Sequence, residues 1–172
     1  TAGNPNTGAP VRSDMTLYAR WQSDEFKIDY DLDNGTNDIN NPTSYVYGVG
    51  VTSFADPVRD NYQFLGWFDA PSGGNLITSI SDTDDGDKIL YANWKANDFV
   101  INYSLDGGSN HATNPTTYTY GIGVTSFGDA SKTGYKFLGW YDAESGGNAV
   151  TNITDTATGT QTLYARFRSE ER

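Results

Sequence analysis

The sequence predicts a mostly β protein, α+β at most, built from small modules set end to end. Three observations carry this expectation. Residues 26–95 align without a gap onto residues 99–168 at a constant offset of 73, with 38 identical pairs among 70; a fixed period of this kind marks an array whose function lies in number and spacing. Apolar residues within each copy recur at every second position, the period of strands with one wet face. No segment of ten or more residues carries a helical period, which leaves room for at most one short helical turn between the second and third strands. The chain divides into a remnant of a preceding repeat with its junction (1–25), module 1 (26–95), a short linker (96–98), module 2 (99–168) and a tail (169–172). Leu17-Tyr18-Ala19-Arg20-Trp21 reveals the remnant, because it precedes Leu90-Tyr91-Ala92-Asn93-Trp94 by the same 73 residues. Targeting and anchoring segments are expected elsewhere.

The first strand is Phe26-Lys27-Ile28-Asp29-Tyr30-Asp31-Leu32; copy two keeps its apolar set as Phe99, Ile101, Tyr103 and Leu105 while the outward residues change. Asp33-Asn34-Gly35 and Asp106-Gly107-Gly108 tolerate positive φ and predict a turn. Asn41-Pro42 and Asn114-Pro115 follow in a polar loop, where proline steers the preceding residue away from helix. A second strand is expected at Tyr45-Val46-Tyr47. The aromatic run from Tyr62 to Asp69, matched by Tyr135 to Asp142, predicts a third strand, and the glycine inside it, Gly66 or Gly139, predicts a bulge. Ser72-Gly73-Gly74-Asn75 is a further turn, and Leu90 to Trp94 closes the copy.

Units of about 70 residues bury a small fraction of their surface and need reinforcement. The chain has no cysteine, so neither disulfides nor thiolate metal sites supply it. Aromatic packing does: each copy places eleven aromatic residues at matching positions, and each ring can bury roughly 150 to 250 Å². The net charge of −11 opposes nucleic acid, whose affinity rests on lysines and arginines at phosphates, and opposes anionic membrane surfaces. Copy one carries 11 acids against 4 bases and copy two carries 5 against 4, so acidity is not a requirement of the module. No apolar run of 18 residues exists, and no membrane insertion of this segment is expected.

Chemistry proposed for one copy should recur in the other. His111, the single histidine, is replaced by Asp38 in copy one, so it founds no repeated catalytic constellation, and no catalytic residue is expected. Gly48-Val49-Gly50-Val51-Thr52-Ser53 has the glycines of a phosphate loop but neither its lysine nor a following helix, and a β turn or bulge is expected. Asp82, Asp84, Asp85 and Asp87 cluster hard oxygen donors and are candidates for calcium; copy two keeps only Asp155 of the cluster. No other cofactor is expected. No lysine is shared between the copies, which opposes a repeat-wide lysine–asparagine cross-link. Tyr45, Tyr47 and Trp67, with partners Tyr118, Tyr120 and Trp140, are candidates for ligand binding where they face outward; the alternative is a core role, the commoner one for aromatics at strand spacing.

Gly-Tyr-Lys-Phe-Leu-Gly-Trp-Tyr-Asp at 134–142, Ser-Gly-Gly-Asn at 145–148 and Thr-Leu-Tyr-Ala-Arg-Phe at 162–167 together resemble the Listeria-Bacteroides repeat family, also called the internalin B-repeat. Asp14-Met15-Thr16-Leu17-Tyr18-Ala19-Arg20-Trp21 resembles its closing motif. Copy one departs at Asn61, where the motif has glycine. The resemblance implies a β-grasp-like module without catalysis, carried in arrays on secreted, cell-surface or cell-wall bacterial proteins. In a β-grasp the first and last strands are parallel neighbours, so the chain enters at one pole and leaves at the other. With four residues from Trp94 to Phe99, a stiff rod is expected. Two functions follow: a stalk that presents another domain and contributes to adhesion, with neighbouring repeats as its partners, or an adhesin module that recognises a host protein or glycan.

Overall fold

The computed structural model describes Thr16 and residues 18–170; residues 1–15, Leu17 and residues 171–172, with most of the expected repeat remnant, lie outside the described residues. Among the described residues nine strands form: β1 (Glu25–Asp31), β2 (Ser44–Val46), β3 (Tyr62–Phe68), β4 (Leu76–Ile77), β5 (Lys88–Ala96), β6 (Asp98–Ser104), β7 (Thr117–Thr119), β8 (Tyr135–Tyr141) and β9 (Gln161–Ser169). They build two mixed sheets, ordered β2-β1-β5-β3-β4 and β7-β6-β9-β8. Among the described residues there is no helix, and the segment between β2 and β3 crosses as turns and isolated bridges. The protein is mostly β, as the sequence predicts.

The alternation in β1 resolves into two pairings along one strand. Its first half, Glu25 to Lys27, pairs antiparallel with β2, and its second half, Ile28 to Asp31, runs parallel to β5 from Lys88 to Tyr91. β6 divides in the same way between β7 and β9. The predicted bulge is present: pairing of β3 with β5 shifts between Phe64 and Gly66, and that of β8 with β9 between Phe137 and Gly139. Gly66 and Gly139 sit at φ 137° and 135°, conformations that a side chain rarely adopts. The bulge lets Phe64 and Trp67 face the same core although three positions separate them, a count that strict alternation forbids. Asp33 and Asn34, at φ 42° and 66°, form the predicted turn, closed by the Gly35 N–H donating to the Leu32 carbonyl at 2.8 Å.

Each module has its own core. Ile28, Tyr45, Trp67, Ile80, Leu90 and Ala92 are buried in the first, and Ile101, Tyr118, Trp140, Ile153, Leu163 and Ala165 occupy the matching positions in the second. Trp67 takes Tyr30 edge-on at 5.0 Å and Phe64 at 5.4 Å between ring centres; Trp140 repeats both contacts, at 5.1 and 5.4 Å. The buried rings also tether irregular chain. Tyr45 donates to the Gly86 carbonyl at 2.6 Å and Trp67 to the Ala55 carbonyl at 3.2 Å. Among the described residues the buried polar exceptions are Asn41 and its counterpart Asn114; the Asn41 amide satisfies both backbone groups of Ala55, accepting from N–H at 2.7 Å and donating to C=O at 3.0 Å.

Gly48 and Gly50 separate two effects of a side chain. Both have positive φ, 87° and 68°, but a Cβ at Gly48 meets nothing within 4 Å, whereas one at Gly50 lands on the Ile80 carbonyl oxygen. Gly48→Ala should cost about 1–2 kcal/mol, the steric penalty of left-handed backbone. Gly50→Ala adds overpacking against fixed backbone and should cost about 2–5 kcal/mol in total. Urea unfolding of the two variants checks the order, which equal midpoints would contradict.

Candidate functional site

The feature that both copies build is the joint between them. β5 continues to Ala96 and β6 begins at Asp98, so Asn97 alone separates the closing strand of one module from the opening strand of the next. The connector is shorter than the expected 96–98 because Ala96 still pairs with Tyr62. Asn97 is bonded on both sides: its N–H donates to the Asn61 carbonyl of module 1 at 2.9 Å, and its carbonyl accepts from the Tyr120 N–H of module 2 at 2.9 Å. Each half recurs. The Asp24 carbonyl accepts from Tyr47 N–H at 2.9 Å, and Glu170 N–H donates to the Gly134 carbonyl at 3.0 Å. Asn61 holds φ at 65° where Gly134 holds 79°, so the departure from glycine leaves the turn intact, as asparagine tolerates this region.

Side chains close the joint. Tyr62 meets Tyr120 edge-on, with centres 5.7 Å apart and planes at 85°. The Arg59 guanidinium lies 3.9 Å over the Tyr62 ring and bridges Asp33 at 2.6 Å. Lys132 repeats the arrangement, 4.5 Å from the Tyr135 ring centre and 3.0 Å from Asp106. A groove of about 400 Å³ runs along the joint, lined by Val58, Arg59, Tyr62 and Tyr120 among others. The positions equivalent to the joint pair at the outer poles, Tyr47 and Tyr135, are 48% and 42% exposed.

The other candidate residues fall as follows. Tyr45, Trp67, Tyr118 and Trp140 are each 3% exposed, core residues rather than a ligand face; Tyr47 is exposed and Tyr120 is in the joint. Two carboxylates of the acidic loop accept from backbone, Asp84 from Ser81 N–H of the loop at 3.0 Å and Asp87 from Lys27 N–H of β1 at 2.7 Å, while the Asp82 main-chain carbonyl accepts from Gly48 N–H at 2.8 Å. Asp85 belongs to the same loop. Among the described residues no group of three histidine or acidic side chains is gathered as a metal site. His111 is an exposed turn residue whose Nδ1 lies 2.9 Å from the Thr113 hydroxyl, the place where Asp38 accepts from Asn40 N–H at 2.8 Å. The glycine loop directs Gly48 and Gly50 N–H into the fold, onto the Asp82 and Val46 carbonyls. Sequence reasoning missed Asn41 and Asn114, whose identity in both copies was the available signal, and the pairing of Tyr62 with Tyr120.

One five-stranded and one four-stranded mixed sheet, each with its own aromatic core and with a one-residue joint between them, define a tandem array of small β modules. The Listeria-Bacteroides repeat domain matches residues 26–93 and 99–166. The chain belongs to the Listeria-Bacteroides repeat family. It is 32% identical to internalin H of Listeria monocytogenes over 117 residues, covering 67% of this chain and 21% of that protein. It is also 30% identical over 161 residues to a protein of Evansella cellulosilytica whose assigned name is that of a membrane protein, covering 91% of this chain and 23% of the relative. The chain thus spans about a fifth of the length of these relatives. Among the described residues no helix is long and apolar enough to cross a membrane.

Titration reports on the tethers. Burial pushes the Tyr30 and Tyr103 phenols up to about 12, and each stays protonated to donate to the Pro42 or Pro115 carbonyl, at 2.7 and 2.8 Å. A folded-state value above the ordinary one near 10 means that this contribution is complete below pH 10 and is lost as the pH climbs towards about 12. Alkaline unfolding should therefore set in between those values, and Tyr30→Phe with Tyr103→Phe should shift its onset upward. Tyrosinate absorbance followed alongside circular dichroism tests this, and an onset unmoved in the double variant would contradict it.

Proposed function

We propose that this chain is a non-catalytic spacer segment of a bacterial cell-surface or secreted protein, an extended stack of repeats that holds another domain away from the cell and contributes to adhesion. The observation that carries the reading is the joint at Asn97, where one residue is hydrogen-bonded to both modules and backed by the Tyr62–Tyr120 pair. A joint without slack transmits orientation and tension. Parallel pairing of first and last strands puts entry and exit at opposite poles, which suits stacking rather than folding back. Kinship with internalin H and with a relative bearing a membrane-protein name supports an extracellular setting at the surface or wall. Exposure of Tyr47 favours a second reading, in which an outward aromatic engages a host protein or glycan.

Small-angle scattering tests the spacer. Each module should add roughly 25 to 40 Å to the longest dimension, from strand rise plus turns. Inserting Gly-Ser-Gly-Ser after Asn97 should broaden the distance distribution, and Tyr120→Ala should loosen the joint while each module keeps its own unfolding transition. A compact particle, or an insertion without effect, would overturn the rod. Retention of the chain on host-protein or glycan arrays that is lost in Tyr47→Ala would move the conclusion to the second reading.

A further inference from the structure

The two copies provide an internal comparison at one position, Asn93 in the first and Arg166 in the second. Strand alternation places Arg166 on the sheet face opposite the core, between buried Ala165 and core-packed Phe167. Its guanidinium lies 3.8 Å over the Tyr141 ring. Nη2 donates to the Ala143 carbonyl at 2.9 Å and to the Gly146 carbonyl, while Nε is buried and unpaired. The loop presenting those carbonyls is fastened by Asp142, whose Oδ1 accepts from Asn148 N–H at 2.7 Å. Hydrogen bonds from Asn148 hold the Asp142 carboxyl below its ordinary range, and Asp69 is held low by Asn75 in the same way.

Module 1 keeps this frame and lacks the guanidinium. Asp69 Oδ1 accepts from Asn75 N–H at 2.7 Å, and Gly73 sits at φ 67° where Gly146 sits at 66°. Phe68 takes the place of Tyr141. A groove of about 580 Å³ lies beside the short Asn93, lined by Asp31, Asp33, Leu65, Gly73, Tyr91 and Asn93 among others. Asp33 is engaged by Arg59 at 2.6 Å; the exposed Asp31 carboxylate, whose Oδ1 accepts from Asp33 N–H at 3.2 Å, stands where module 2 has Ser104. At this groove module 1 has no counterpart of the Arg166 cation and carries a carboxylate that module 2 lacks. The surrounding face differs as well: Leu65, Leu76 and Ile89 are exposed, and the last two are Ala149 and Thr162 in module 2.

We propose that this groove is a socket for an arginine side chain of a partner protein, entered where Arg166 lies in module 2. The planar fork of a guanidinium bonds the Gly73 carbonyl and the Asp31 carboxylate together, a geometry that a lysine ammonium does not match. The occupant is a protein segment because exposed Leu65 lines the socket and exposed Leu76 and Ile89 lie on the same outward sheet face, apolar surface that the residues flanking an arginine in a polypeptide would cover. The inference extends beyond the spacer reading, since a spacer needs no socket.

Titration of the 15N-labelled chain tests it, with N-acetyl-arginine amide, N-acetyl-lysine amide and an acetylated Leu-Arg-Leu amide as probes. Arginine amide should produce saturable shifts at the Gly73, Tyr91 and Asn93 amides and none at Gly146, Tyr164 and Arg166, with a dissociation constant on the order of millimolar. The tripeptide should bind roughly tenfold tighter through its flanking leucines. Asn93→Arg should fill the socket from within and abolish the response, Asn93→Gln should retain it, and Arg166→Asn combined with Ser104→Asp should create a response at Gly146. If Asn93→Arg loses its dispersed spectrum, the Arg166→Asn/Ser104→Asp arm decides. Equal response to lysine, no saturable shift, or no response at Gly146 in Arg166→Asn/Ser104→Asp would overturn the socket; a tripeptide no tighter than the amide would overturn the protein partner.

Discussion

The constraint on which the rest depends is the parallel pairing of the first and last strands of each module, Ile28 to Asp31 on Lys88 to Tyr91 and Ile101 to Ser104 on Gln161 to Tyr164. Parallel neighbours cannot be joined by a tight turn, so the chain between them must cross over. That crossing supplies β2, β3 and the loops that cover the core. It also decides where the chain leaves. Because β5 runs in the direction of β1, its end lies at the pole opposite the start of β1, and β6 can begin one residue later without reversing. An antiparallel closing strand would have returned the chain to its own entrance, and a connector of one residue would then have been impossible.

A crossover without a helix leaves much backbone outside regular pairing, and such backbone must still find partners. The aromatic residues answer two needs at once. Their rings fill the core, and their polar edges reach loops: Tyr30 to Pro42, Tyr45 to Gly86, Trp67 to Ala55. Asn41 adds a two-way bridge to Ala55. Module 2 reproduces the set with Tyr103, Tyr118, Trp140 and Asn114. One tether differs, because Trp94 donates to the Leu32 carbonyl at 3.0 Å and its counterpart Phe167 has no donor. In place of disulfides, small modules here use rings that are anchored at both ends.

Strand positions, the bulge at Gly66 and the turn at Asp33-Asn34 were legible because each depends on local sequence: alternation, an isolated glycine in an aromatic run, residues tolerant of positive φ. The orientation of the rings was not. β2 spans only Ser44 to Val46, too short for alternation to say which of Tyr45 and Tyr47 faces inward, and the bulge reverses the parity that would have placed Trp67. The acidic loop illustrates a different limit. Composition reveals a cluster of carboxylates, but their partners are Ser81 N–H and Lys27 N–H, backbone groups whose need for an acceptor becomes visible only once the fold is formed. The sequence shows Asn41 as a polar-loop residue before proline, and its burial follows from a loop closure that sequence spacing does not encode.

Comparison of the copies separates two kinds of position by the physics that acts on them. Substituting a core ring removes packing and a tether together, so the shared residues concentrate in Ile28, Tyr45, Trp67 and Leu90 and their partners. The outward sheet face carries neither burden. Asp29, Asp31, Leu76, Ile89 and Asn93 become Asn102, Ser104, Ala149, Thr162 and Arg166 while the strands beneath them keep the same register. A filter that keeps only what repeats finds the scaffold and discards this face. The face is where an array can vary from module to module without disturbing the joint, because the joint at Asn97 is made by backbone groups and by Tyr62 and Tyr120. Residues that join the modules are therefore separate from residues free to distinguish one module from the next.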